Sequence, residues 1–484
     1  MNLLDIVIKD QSTATLEGDE SLKKAVMMKF RFRPDGYQFA PNYQFGIWDG
    51  WIYPIKPHTF NFGKGLINEI IRKNSNIKFN IINNNKNIDL KLCETNNISN
   101  GKDNITPYDY QISGAEYILN NKSGIIESPT GSGKSLLQYM IVKSLLNKGF
   151  KKILILVPTV SLVDQLFGDF KDYSFLDDSF DTDNNCHLIS GGKEKSSDKP
   201  IYISTWQSIY KIKDKKYFKE FDAVLVDECH LAPSKSISNI LMSCINAIVK
   251  GGFSGTLEDT EDNMISLLGL FGDVFKTATT RQLMDRGILS DILVKTLILK
   301  HTHNNGFMEY KDEIDYLVSH EKRNKLITNL ASSLDGNTLI LFDLVQKHGK
   351  VLLKILKDKY PDKDIYYVSG EVKKTKREEI RKLLEDKDDA IIIASYKTFQ
   401  AGINIKRLHN VIFAAPSKSK IRIFQSIGRG LRTHSTKSYA TIYDLCDDLR
   451  CNTKRENYAL QHFRKRVELY KKEEFKMQLI ELDI

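Results

Sequence analysis

The chain has 484 residues, of which 41% are hydrophobic and 27% are charged, a composition typical of folded globular proteins. At about 150 residues per domain, this length predicts roughly three domains. The longest apolar runs, such as Ile153–Val157, are strand-sized and far shorter than the ~20 residues needed to cross a membrane. Residues 1–10 lack the charged and apolar regions of a signal peptide, so the expected location is the cytoplasm.

Lysine and arginine number 71 against 61 acidic residues, which gives a net charge of +10. This moderate excess is consistent with a polyanionic partner such as nucleic acid, and equally with a lysine-rich solvated surface. The six cysteines form no pairs with metal-ligand spacing, so the sequence predicts reduced thiols and no cysteine-bound metal.

Residues 1–95 are predicted to form a small α+β domain. Aromatic residues crowd the segment 30–53, and the turn signals Pro34-Asp-Gly36 and Trp48-Asp-Gly50 lie within it. This pattern predicts short β-hairpins whose rings either build a small core or stack on bases, with the core as the default for any single ring.

Arg31 and Arg33 alternate with Phe30 and Phe32 in this domain. Because successive side chains of a strand point to opposite faces, the two arginines are predicted to lie opposite the rings. They are therefore candidate contacts for DNA phosphates, which are bound without reading the base sequence.

Strand-like and helix-like segments alternate after a predicted linker over residues 96–105, which is typical of βαβ units and parallel sheets. The pattern predicts one α/β domain over 106–290 and a second over 291–450, with the join near 287–295. A C-terminal helix is predicted over 451–484. The predicted strands are 124–127, 153–157, 201–204, 223–226, 252–254, 338–342, 365–368, 390–394, 411–414 and 440–443.

Ser128-Pro-Thr-Gly-Ser-Gly-Lys-Ser135 follows a predicted strand and opens a predicted helix, which is the context of a P-loop rather than of an ordinary glycine-rich turn. In such a loop the backbone N–H groups and the helix N-terminus face a phosphate. Lys134 can then reach the β- and γ-phosphates of ATP, and the Ser135 hydroxyl can ligate Mg²⁺. The predicted ATP-binding residues of the loop are Pro129, Thr130, Gly131, Ser132, Gly133, Lys134 and Ser135.

Val224-Leu-Val-Asp-Glu-Cys-His230 is an apolar strand that ends in two carboxylates. In a parallel sheet these carboxylates lie at the carboxyl edge, beside the P-loop. Asp227 is predicted to hold the Mg²⁺ shell, and Glu228 to orient and polarise the attacking water. We expect Cys229 to be a spacer and His230 to make a hydrogen bond that links the two domains or the γ-phosphate.

Gln425-Ser-Ile-Gly-Arg-Gly-Leu-Arg432 lies in the second predicted α/β domain. On a helix Gln425, Arg429 and Arg432 share one face, because i, i+3 and i, i+4 side chains are neighbours. A surface salt-bridge face would explain an isolated pair of arginines. With a P-loop in the other domain, arginine fingers become the preferred interpretation, since arginine stays charged and donates in a planar fork.

In this order the P-loop, the Asp-Glu-Cys-His group and Gln-x-x-Gly-Arg-x-x-Arg resemble the motifs of superfamily-two helicases over about residues 106–432. The resemblance implies a nucleic-acid-stimulated ATPase with further motif residues in three roles. The implied ATP contacts are Tyr108, Gln111, Gly402 and Asn404; the implied coupling residues are His230, Ser254 and Thr256; and the implied DNA contacts are Pro158, Thr159, Gln165, Thr205, Trp206, Gln207 and Thr398.

The segment 39–50, Phe-Ala-Pro-Asn-Tyr-Gln-Phe-Gly-Ile-Trp-Asp-Gly, is similar to the N-terminal domain of the bacteriophage UvsW type of recombination helicase. The resemblance implies two tandem RecA-like domains with parallel sheets, preceded by a small DNA-binding domain. It also implies 3′–5′ action on forks, four-way junctions and R-loops. Cys229 replaces the alanine of the Asp-Glu-Ala-Asp group, which argues against that branch of RNA helicases. Asn404 stands where many relatives have aspartate, which puts a charged contact there in doubt.

The sequence therefore predicts an ATP-dependent DNA helicase or translocase that acts on branched DNA in phage recombination, repair and replication. ATP and Mg²⁺ are the predicted cofactors, and the predicted partners are DNA and the RNA of R-loops, in the host cytosol. Three alternatives stay open: an RNA helicase, an ATP-gated protein that binds or anneals branched DNA without processive unwinding, and the motor subunit of a restriction or nuclease complex.

Overall fold

The computed structural model describes residues 3–34, 36–83, 88–190, 194–257, 260–302, 308–372, 374–400, 408–415, 439–450 and 455–484. The chain divides into two compact units, one of Met1–Ser128 with Gly133–Thr277 and one of Pro129–Ser132 with Ala278–Ile484. No helix within the described ranges is long and apolar enough to cross a membrane.

The first unit begins with a small α+β domain, as the sequence predicts. Its sheet has the order β3-β2-β1-β4, in which β1 pairs antiparallel with β2 and parallel with β4. The strands are β1 Leu3–Ile8, β2 Thr13–Gly18, β3 Asn61–Gly63 and β4 Lys78–Ile82, and the helices are α1 Glu20–Phe30, α2 Pro41–Gln44 and α3 Ile67–Lys73. Helix α1 starts at Asp19, whose carboxylate accepts from the Leu22 N–H at 3.0 Å, and it buries Val26 and Phe30 in the domain core.

The predicted β-hairpins between residues 30 and 53 are wrong. In the described part of this segment, strand-like pairing is confined to one bridge between Phe32 and Ile52. A 3₁₀ turn over Tyr37–Phe39 and helix α2 lie between the two partners. A helical backbone turns successive side chains by about 100° instead of alternating them across a pleat, so the rings cannot share one core face. Phe39 and Phe45 are accordingly exposed, against the expectation that they form a core.

Two glycines bring the small domain into backbone contact with the neighbouring α/β domain of the same unit. A Cβ atom on Gly65 would lie 2.1 Å from the carbonyl oxygen of Leu268, and one on Gly63 would lie 2.2 Å from that of Gly269. Only glycine permits such an approach. Leu66 packs against Gly269 at the centre of this contact, so the two domains share a continuous core.

Polar contacts surround this joint. Asn68 and Arg72 of α3 donate to the Asp273 carboxylate at 2.7 and 3.1 Å. On the other side, the buried ammonium of Lys250 donates to the hydroxyl of Ser12. Burial lowers the pKa of Lys250 to about 8. The small domain is therefore fixed to its neighbour by both apolar and polar contacts.

The α/β domain of the first unit is built on a parallel sheet, as predicted. Seven strands of its described residues have the order β11-β5-β10-β9-β6-β8-β7. The strands are β5 Ser123–Glu127, β6 Ile153–Val157, β7 Cys186–Ile189, β8 Ile201–Thr205, β9 Ala223–Asp227, β10 Val249–Ser254 and β11 Val274–Lys276. The helices are α4 Asp109–Asn121, α5 Lys134–Asn147, α6 Val160–Tyr173, α7 Thr182–Asn185, α8 Trp206–Ile209, α9 Lys215–Lys219, α10 Lys235–Ser243 and α11 Glu261–Phe271. Apolar cores lie on both faces of the sheet, which explains why its strands read as continuous apolar runs.

The second unit holds another parallel sheet, again as predicted. Seven strands in the described ranges follow the order β14-β15-β13-β16-β17-β12-β18. The strands are β12 Asp291–Lys300, β13 Thr338–Phe342, β14 Ile365–Val368, β15 Ile391–Ser395, β16 Asn410–Phe413, β17 Tyr439–Asp448 and β18 Lys476–Asp483. The helices are α12 Thr280–Asp285, α13 Tyr310–Ser319, α14 Glu321–Ser333, α15 Lys350–Lys359, α16 Lys374–Glu385, α17 Tyr396–Gln400 and α18 Tyr458–Lys472.

The C-terminal segment and the domain join differ from the sequence prediction. The predicted helix is present as α18, but the chain then turns at Glu474, which has a φ of 56°, and continues as the edge strand β18. Most side chains of β18 are exposed, so the sequence carries no strong alternating pattern there. The Thr280 hydroxyl donates to the Glu473 carboxylate at 2.6 Å, which ties α12 to the second unit, and the units divide after Thr277 rather than near 287–295.

A buried ionic network ties three strand ends of the second unit. Arg323 donates to Asp447 of β17 at 2.8 Å and to the carbonyl of Ala414, which follows β16, at 2.8 Å. His301, which follows β12, lies 3.0 Å from the same Asp447 carboxylate. Burial alone would raise the pKa of Asp447, but Arg323 and His301 hold it at about 2. The Asp447 carboxylate therefore links β17 to the residue after β12, and Arg323 links it to the residue after β16, which fixes this edge of the sheet.

The replacement Gly65→Ala should destabilise the first unit by about 1–3 kcal/mol, because the added methyl group meets backbone that cannot move aside. Equilibrium denaturant unfolding measures the change in the free energy of unfolding. Gly168→Ala is the matched control, since Gly168 lies in helix α6 and a Cβ there meets nothing within 4 Å. It should leave stability unchanged or raise it by about 0.5–1 kcal/mol. Equal effects of the two changes would contradict the backbone contact.

Candidate nucleotide-binding site

Three neighbouring strands of the first parallel sheet end at the candidate site. The predicted P-loop follows β5, Asp227 ends β9, and Ser254 ends β10, which lies between them. The Ser128 N–H donates to the carbonyl of Ser254 at 3.0 Å, which joins the start of the loop to the central strand. Because parallel strands share a carboxyl edge, residues that are far apart in sequence meet here.

The P-loop backbone has the conformation that its glycines predict. Gly133 caps helix α5 with a φ of 82°, and a Cβ there would lie 2.4 Å from the side-chain nitrogen of Gln111. The Lys134 ammonium donates to the carbonyl of Ser128 at 3.0 Å, which holds it at the loop. Ser128 itself has no positive φ, and its hydroxyl accepts from Thr277 at 2.9 Å. Serine therefore replaces the usual glycine at position 128 without strain.

Two of the implied ATP contacts, Tyr108 and Gln111, lie beside this loop. Gln111 is buried, and its side-chain oxygen accepts from the Tyr108 N–H at 2.9 Å. This bond caps helix α4 and turns the amide of Gln111 toward Gly133. The Tyr108 ring is 43% exposed and stacks on Tyr110 with the ring centroids 5.6 Å apart. An aromatic ring and an amide therefore lie together next to the P-loop.

The two predicted catalytic carboxylates are adjacent and close to the loop. Burial and the neighbouring Glu228 carboxylate raise the pKa of Asp227 to about 7. Glu228 has a φ of 49°, a left-handed conformation that typically costs about 1–3 kcal/mol and is common at functional sites. The Asp227 carboxylate and the Ser135 hydroxyl have the oxygen chemistry that Mg²⁺ takes, since Mg²⁺ needs few protein oxygens when phosphates and water supply the rest. A cation here would relieve the repulsion that raises the pKa of Asp227.

A hydrogen-bonded chain leads from the carboxylates to β10. The Ser254 hydroxyl donates to the carbonyl of Thr256 at 2.7 Å, so its oxygen must accept from His230 Nδ1 at 3.0 Å. This assigns the Nδ1–H tautomer of His230. The same nitrogen lies 3.3 Å from a carboxylate oxygen of Glu228. A movement of Glu228 would therefore alter the hydrogen bonds of His230, Ser254 and Thr256.

Tyr173 is a residue of the site that sequence reasoning missed. Its hydroxyl lies 2.8 Å from the hydroxyl of Ser135. It ends helix α6, 38 residues after Ser135, in a stretch that carries no motif. The only sequence signal is a polar aromatic residue at the end of an amphipathic helix, and that signal is common.

The DNA contacts implied for the first α/β domain lie at or after the ends of β6 and β8, with unequal exposure. Thr159 caps helix α6 by accepting from the Leu162 N–H at 3.4 Å, and Pro158 beside it is half-buried. Gln165 and Gln207 are exposed. The strand order β9-β6-β8 places the two segments side by side.

Thr205 and Trp206 are less available than the resemblance implies. Thr205 is 3% exposed and shares a hydrogen bond with the Ser208 hydroxyl at 2.9 Å, and Trp206 packs against the core below. Thr398 of the second unit is 5% exposed, and its hydroxyl accepts from Ser395 at 2.7 Å. Both threonine hydroxyls stabilise local turns, and their contact to DNA stays a prediction.

The remaining predicted residues divide into two groups. Phe30 is buried and Phe32 packs against the same core. The guanidinium groups of Arg31 and Arg33 both lie over the Trp51 ring, at 4.1 and 4.6 Å from its centroid, so the two arginines share one side of the segment. Five predicted residues lie outside the described part of the chain; they are Gly402, Asn404, Gln425, Arg429 and Arg432.

Three family profiles match the chain, in the order of its domains. The profile described as DNA helicase UvsW, N-terminal, matches residues 4–84. The profile of the type III restriction enzyme res subunit matches residues 104–259, and that of the helicase conserved C-terminal domain matches residues 321–434.

A relative from Enterobacteria phage T4, known by sequence and by crystal structure, resembles nearly the whole chain. The ATP-dependent DNA helicase uvsW is 35% identical over 96% of this chain and 97% of its own length. The crystal structure of T4 UvsW covers 100% of both chains with a TM-score of 0.52 and 33% identity. The type ISP restriction-modification enzyme LlaBIII bound to DNA covers 78% of this chain and 32% of its own, with a TM-score of 0.58 and 16% identity, which shows a shared fold alone.

The replacement Tyr173→Phe should weaken the affinity for Mg·ATP about 2- to 10-fold, the range that corresponds to one lost hydrogen bond. When the tyrosine oxygen accepts the Ser135 proton, the serine lone pairs are free for a cation, and phenylalanine removes this acceptor. Titration with a fluorescent ATP analogue measures the affinity. Tyr217→Phe, which loses a 2.9 Å hydrogen bond to the carbonyl of Lys195, is the control and should bind nucleotide like the parent. Unchanged affinity in Tyr173→Phe would contradict a positioning role.

Proposed function

The chain belongs to the UvsW family of DNA helicases, and from that premise we propose that it uses ATP and Mg²⁺ to remodel branched DNA such as forks and four-way junctions. It is an ATP-dependent DNA helicase with two tandem RecA-like domains. The observation that carries the proposal is the convergence of Lys134, Asp227 and Ser254 at neighbouring strand ends. The similarity to phage T4 UvsW supports DNA as the substrate. The choice of branched DNA follows from the resemblance of residues 39–50 to recombination helicases.

In the proposed cycle, ATP lies on the P-loop with its phosphates facing the N-terminus of α5. Lys134 neutralises the β- and γ-phosphates, and Gln111 and Tyr108 hold the adenine. Mg²⁺, held by Ser135 and Asp227, would neutralise charge that develops on the phosphates. Glu228 orients and polarises the water that attacks the γ-phosphate.

We assign the remaining ATP contacts to the second RecA-like domain. Gln425, Arg429 and Arg432 would approach the γ-phosphate as it is transferred, and the two arginines would stabilise the charge of the transition state. Gly402 and Asn404 would contact the nucleotide from the same domain. Because the proposed site takes residues from two domains, ATP binding and hydrolysis would close and reopen them.

Hydrolysis is coupled to DNA movement, in this proposal, through the chain from Glu228 to Thr256. Loss of the γ-phosphate changes the hydrogen bonds available to Glu228, and His230 passes that change to Ser254. Pro158, Gln165 and Gln207 would contact the backbone of one strand, and Arg31 and Arg33 would bind phosphates from the small domain. Such contacts give salt-dependent affinity that does not depend on base sequence.

Steady-state ATP hydrolysis tests the substrate class. The comparison is no nucleic acid, single-stranded DNA, a four-way DNA junction and single-stranded RNA at one salt concentration, with Lys134→Ala as the blank. We expect the junction to stimulate most, because it offers duplex arms and a branch together. Stimulation by RNA alone would reassign the protein to RNA remodelling. Junction binding that responds to ATP without strand displacement would favour a clamp or annealing protein.

Arg429→Ala should lower the maximal ATPase rate about 10³-fold, the low end of the effect of an arginine finger, with little change in ATP affinity. Arg464→Ala is the control, since Arg464 is an exposed residue of α18 that pairs with Glu456. It should hydrolyse ATP like the parent. An unaffected rate in Arg429→Ala would exclude the arginine-finger role.

Ser254→Ala should keep most DNA-stimulated ATPase activity but lower the number of base pairs separated per ATP about fivefold, because one hydrogen bond of the coupling chain is lost. Parallel ATPase and fork-unwinding assays give this ratio. Ser113→Ala is the control, as its hydroxyl bonds only to the Asp109 carbonyl on the exposed side of α4. A proportional loss of both activities would mean that Ser254 serves hydrolysis rather than coupling.

A further inference from the structure

We propose that residues 88–105, which we call the strap, position the Tyr173 hydroxyl on Ser135 and thereby set how tightly the nucleotide site holds Mg²⁺ with ATP. The strap lies between strand β4 of the small domain and helix α4. This inference rests on the proposed function, because Ser135 is assigned there as a ligand of Mg²⁺.

The strap packs on the first α/β domain although its backbone is largely irregular. Ile88, Leu90 and Leu92 stand at alternate positions, so an extended backbone turns all three to the same side. All three contact the domain core, and Leu90 is 3% exposed. Ile98 joins the same core farther along and is 1% exposed. The strap is therefore held at several points and is not a free tether.

One polar contact ties the strap to helix α5, which begins at the P-loop. The Cys93 N–H donates to the Ser144 hydroxyl at 2.9 Å, and that hydroxyl donates to the carbonyl of Met140 at 2.7 Å. Ser144 is buried, so this N–H of the strap finds its partner inside the domain rather than in water. The strap is therefore bonded to the helix that carries Ser135.

Two further hydrogen bonds join the strap to the end of helix α6. The Ser99 N–H donates to the carbonyl of Tyr173 at 3.1 Å, and the Gly101 N–H donates to that of Asp172 at 3.2 Å. The last carbonyls of an α-helix have no partner inside the helix, so donors from another segment can satisfy them. Ser99 is fully buried, which makes this contact part of the packed domain. The strap therefore holds the backbone of Tyr173.

The side chain of Tyr173 reaches the nucleotide site from this position. Ser135, Tyr139 and Lys143 are spaced four apart on α5, which puts them on one face of the helix. On this face the Tyr173 hydroxyl lies 2.8 Å from that of Ser135, and the Tyr173 and Tyr139 ring centroids are 5.6 Å apart. One turn farther, Lys143 forms a buried ion pair with Asp177. The strap and this ion pair together fix the backbone around Tyr173.

A fixed Tyr173 hydroxyl matters because Mg²⁺ tolerates little variation in the position of its ligands. The ion demands near-octahedral geometry with ligand distances of about 2.0–2.1 Å. When the Tyr173 oxygen accepts the Ser135 proton, the lone pairs of Ser135 are left for the cation. Hydrogen bonds to a metal ligand orient it in this way. The strap would thus act on the cation through two hydrogen-bonded residues, without touching the nucleotide.

A strap that only stabilised the domain core would have a different signature. Its loss would lower nucleotide affinity whether or not Mg²⁺ is present. A strap that acts through Tyr173 and Ser135 changes only the part of the affinity that depends on Mg²⁺. The two cases are separated by measuring ATP affinity with Mg²⁺ and again with a chelator, on variants that thermal unfolding shows to be folded.

The test is Gly101→Val in the full-length chain. Gly101 has a φ of 88°, and a Cβ there would lie 2.7 Å from the Asp172 carboxylate, so a branched side chain forces the strap away from the end of α6. Titration with a fluorescent ATP analogue should show an affinity about fivefold lower with Mg²⁺ and unchanged without it, as expected when one hydrogen bond is lost. Gly149→Val is the control, because Gly149 has a φ of 90° and a Cβ there meets nothing within 4 Å. It has the same backbone strain and should bind ATP like the parent under both conditions.

Ser144→Ala loosens the strap at its other anchor and introduces no backbone strain. It removes the acceptor of the Cys93 N–H, so ATP affinity should fall about threefold with Mg²⁺ and stay unchanged with the chelator. Ser113→Ala is the matched control. Both serine hydroxyls donate to the carbonyl four residues earlier in their helix, and of the two that of Ser144 also accepts from the strap.

A double-mutant cycle decides whether the strap acts through the tyrosine. In a Tyr173→Phe background, Gly101→Val should cause no further loss of affinity for ATP with Mg²⁺. The proposal is overturned if Gly101→Val and Ser144→Ala bind ATP with Mg²⁺ like the parent, if they lose affinity equally with the chelator, or if the losses in the cycle add in full. A parent chain that binds ATP equally with and without Mg²⁺ would refute the proposed Mg²⁺ site instead.

Discussion

Parallel pairing of β5, β10 and β9 is the constraint on which the nucleotide site depends. In a parallel sheet every strand ends at the same edge, so the segments that follow Glu127, Asp227 and Ser254 have to meet. No long-range side-chain attraction is needed to bring them together. The apolar runs that bury these strands in the sheet therefore also bring the candidate catalytic residues together. The same parallel pairing places the segments after β6 and β8 at this edge of the sheet.

The joint between the small domain and its neighbour shows a second use of backbone geometry. Gly63 and Gly65 allow direct contact between the backbones of the two domains. Larger residues at these positions would place side chains between the backbones. At the border of this joint, Ser12 accepts from the Lys250 ammonium and Asp273 accepts from the Asn68 amide. A contact of this kind resists sliding more than a patch of mobile apolar side chains does. The family match that covers residues 4–84 therefore concerns a domain that is fixed to the first parallel sheet.

Much of the fold and of the nucleotide site could be predicted from the sequence, because local pattern and tertiary role agree there. Continuous apolar runs can be satisfied only in a sheet that is covered on both faces, and glycines at 131 and 133 are explained by positive φ values. The contact of Tyr173 with Ser135 could not be predicted from the sequence, because it depends on how helix α6 packs and not on the spacing between the two residues. Strand β18 was missed for a related reason, as an edge strand needs no buried face and leaves little pattern.

The errors over residues 30–53 have a different cause. The rings there were assigned to hairpins because folding usually explains why a chain carries aromatic residues. Phe30 obeys that rule and is fully buried, whereas Phe39 and Phe45 remain in water, so folding does not account for them. Local sequence pattern fails where a residue serves something other than the stability of its own domain. At such a position an exposed aromatic residue marks a surface that the packing of its own domain does not explain.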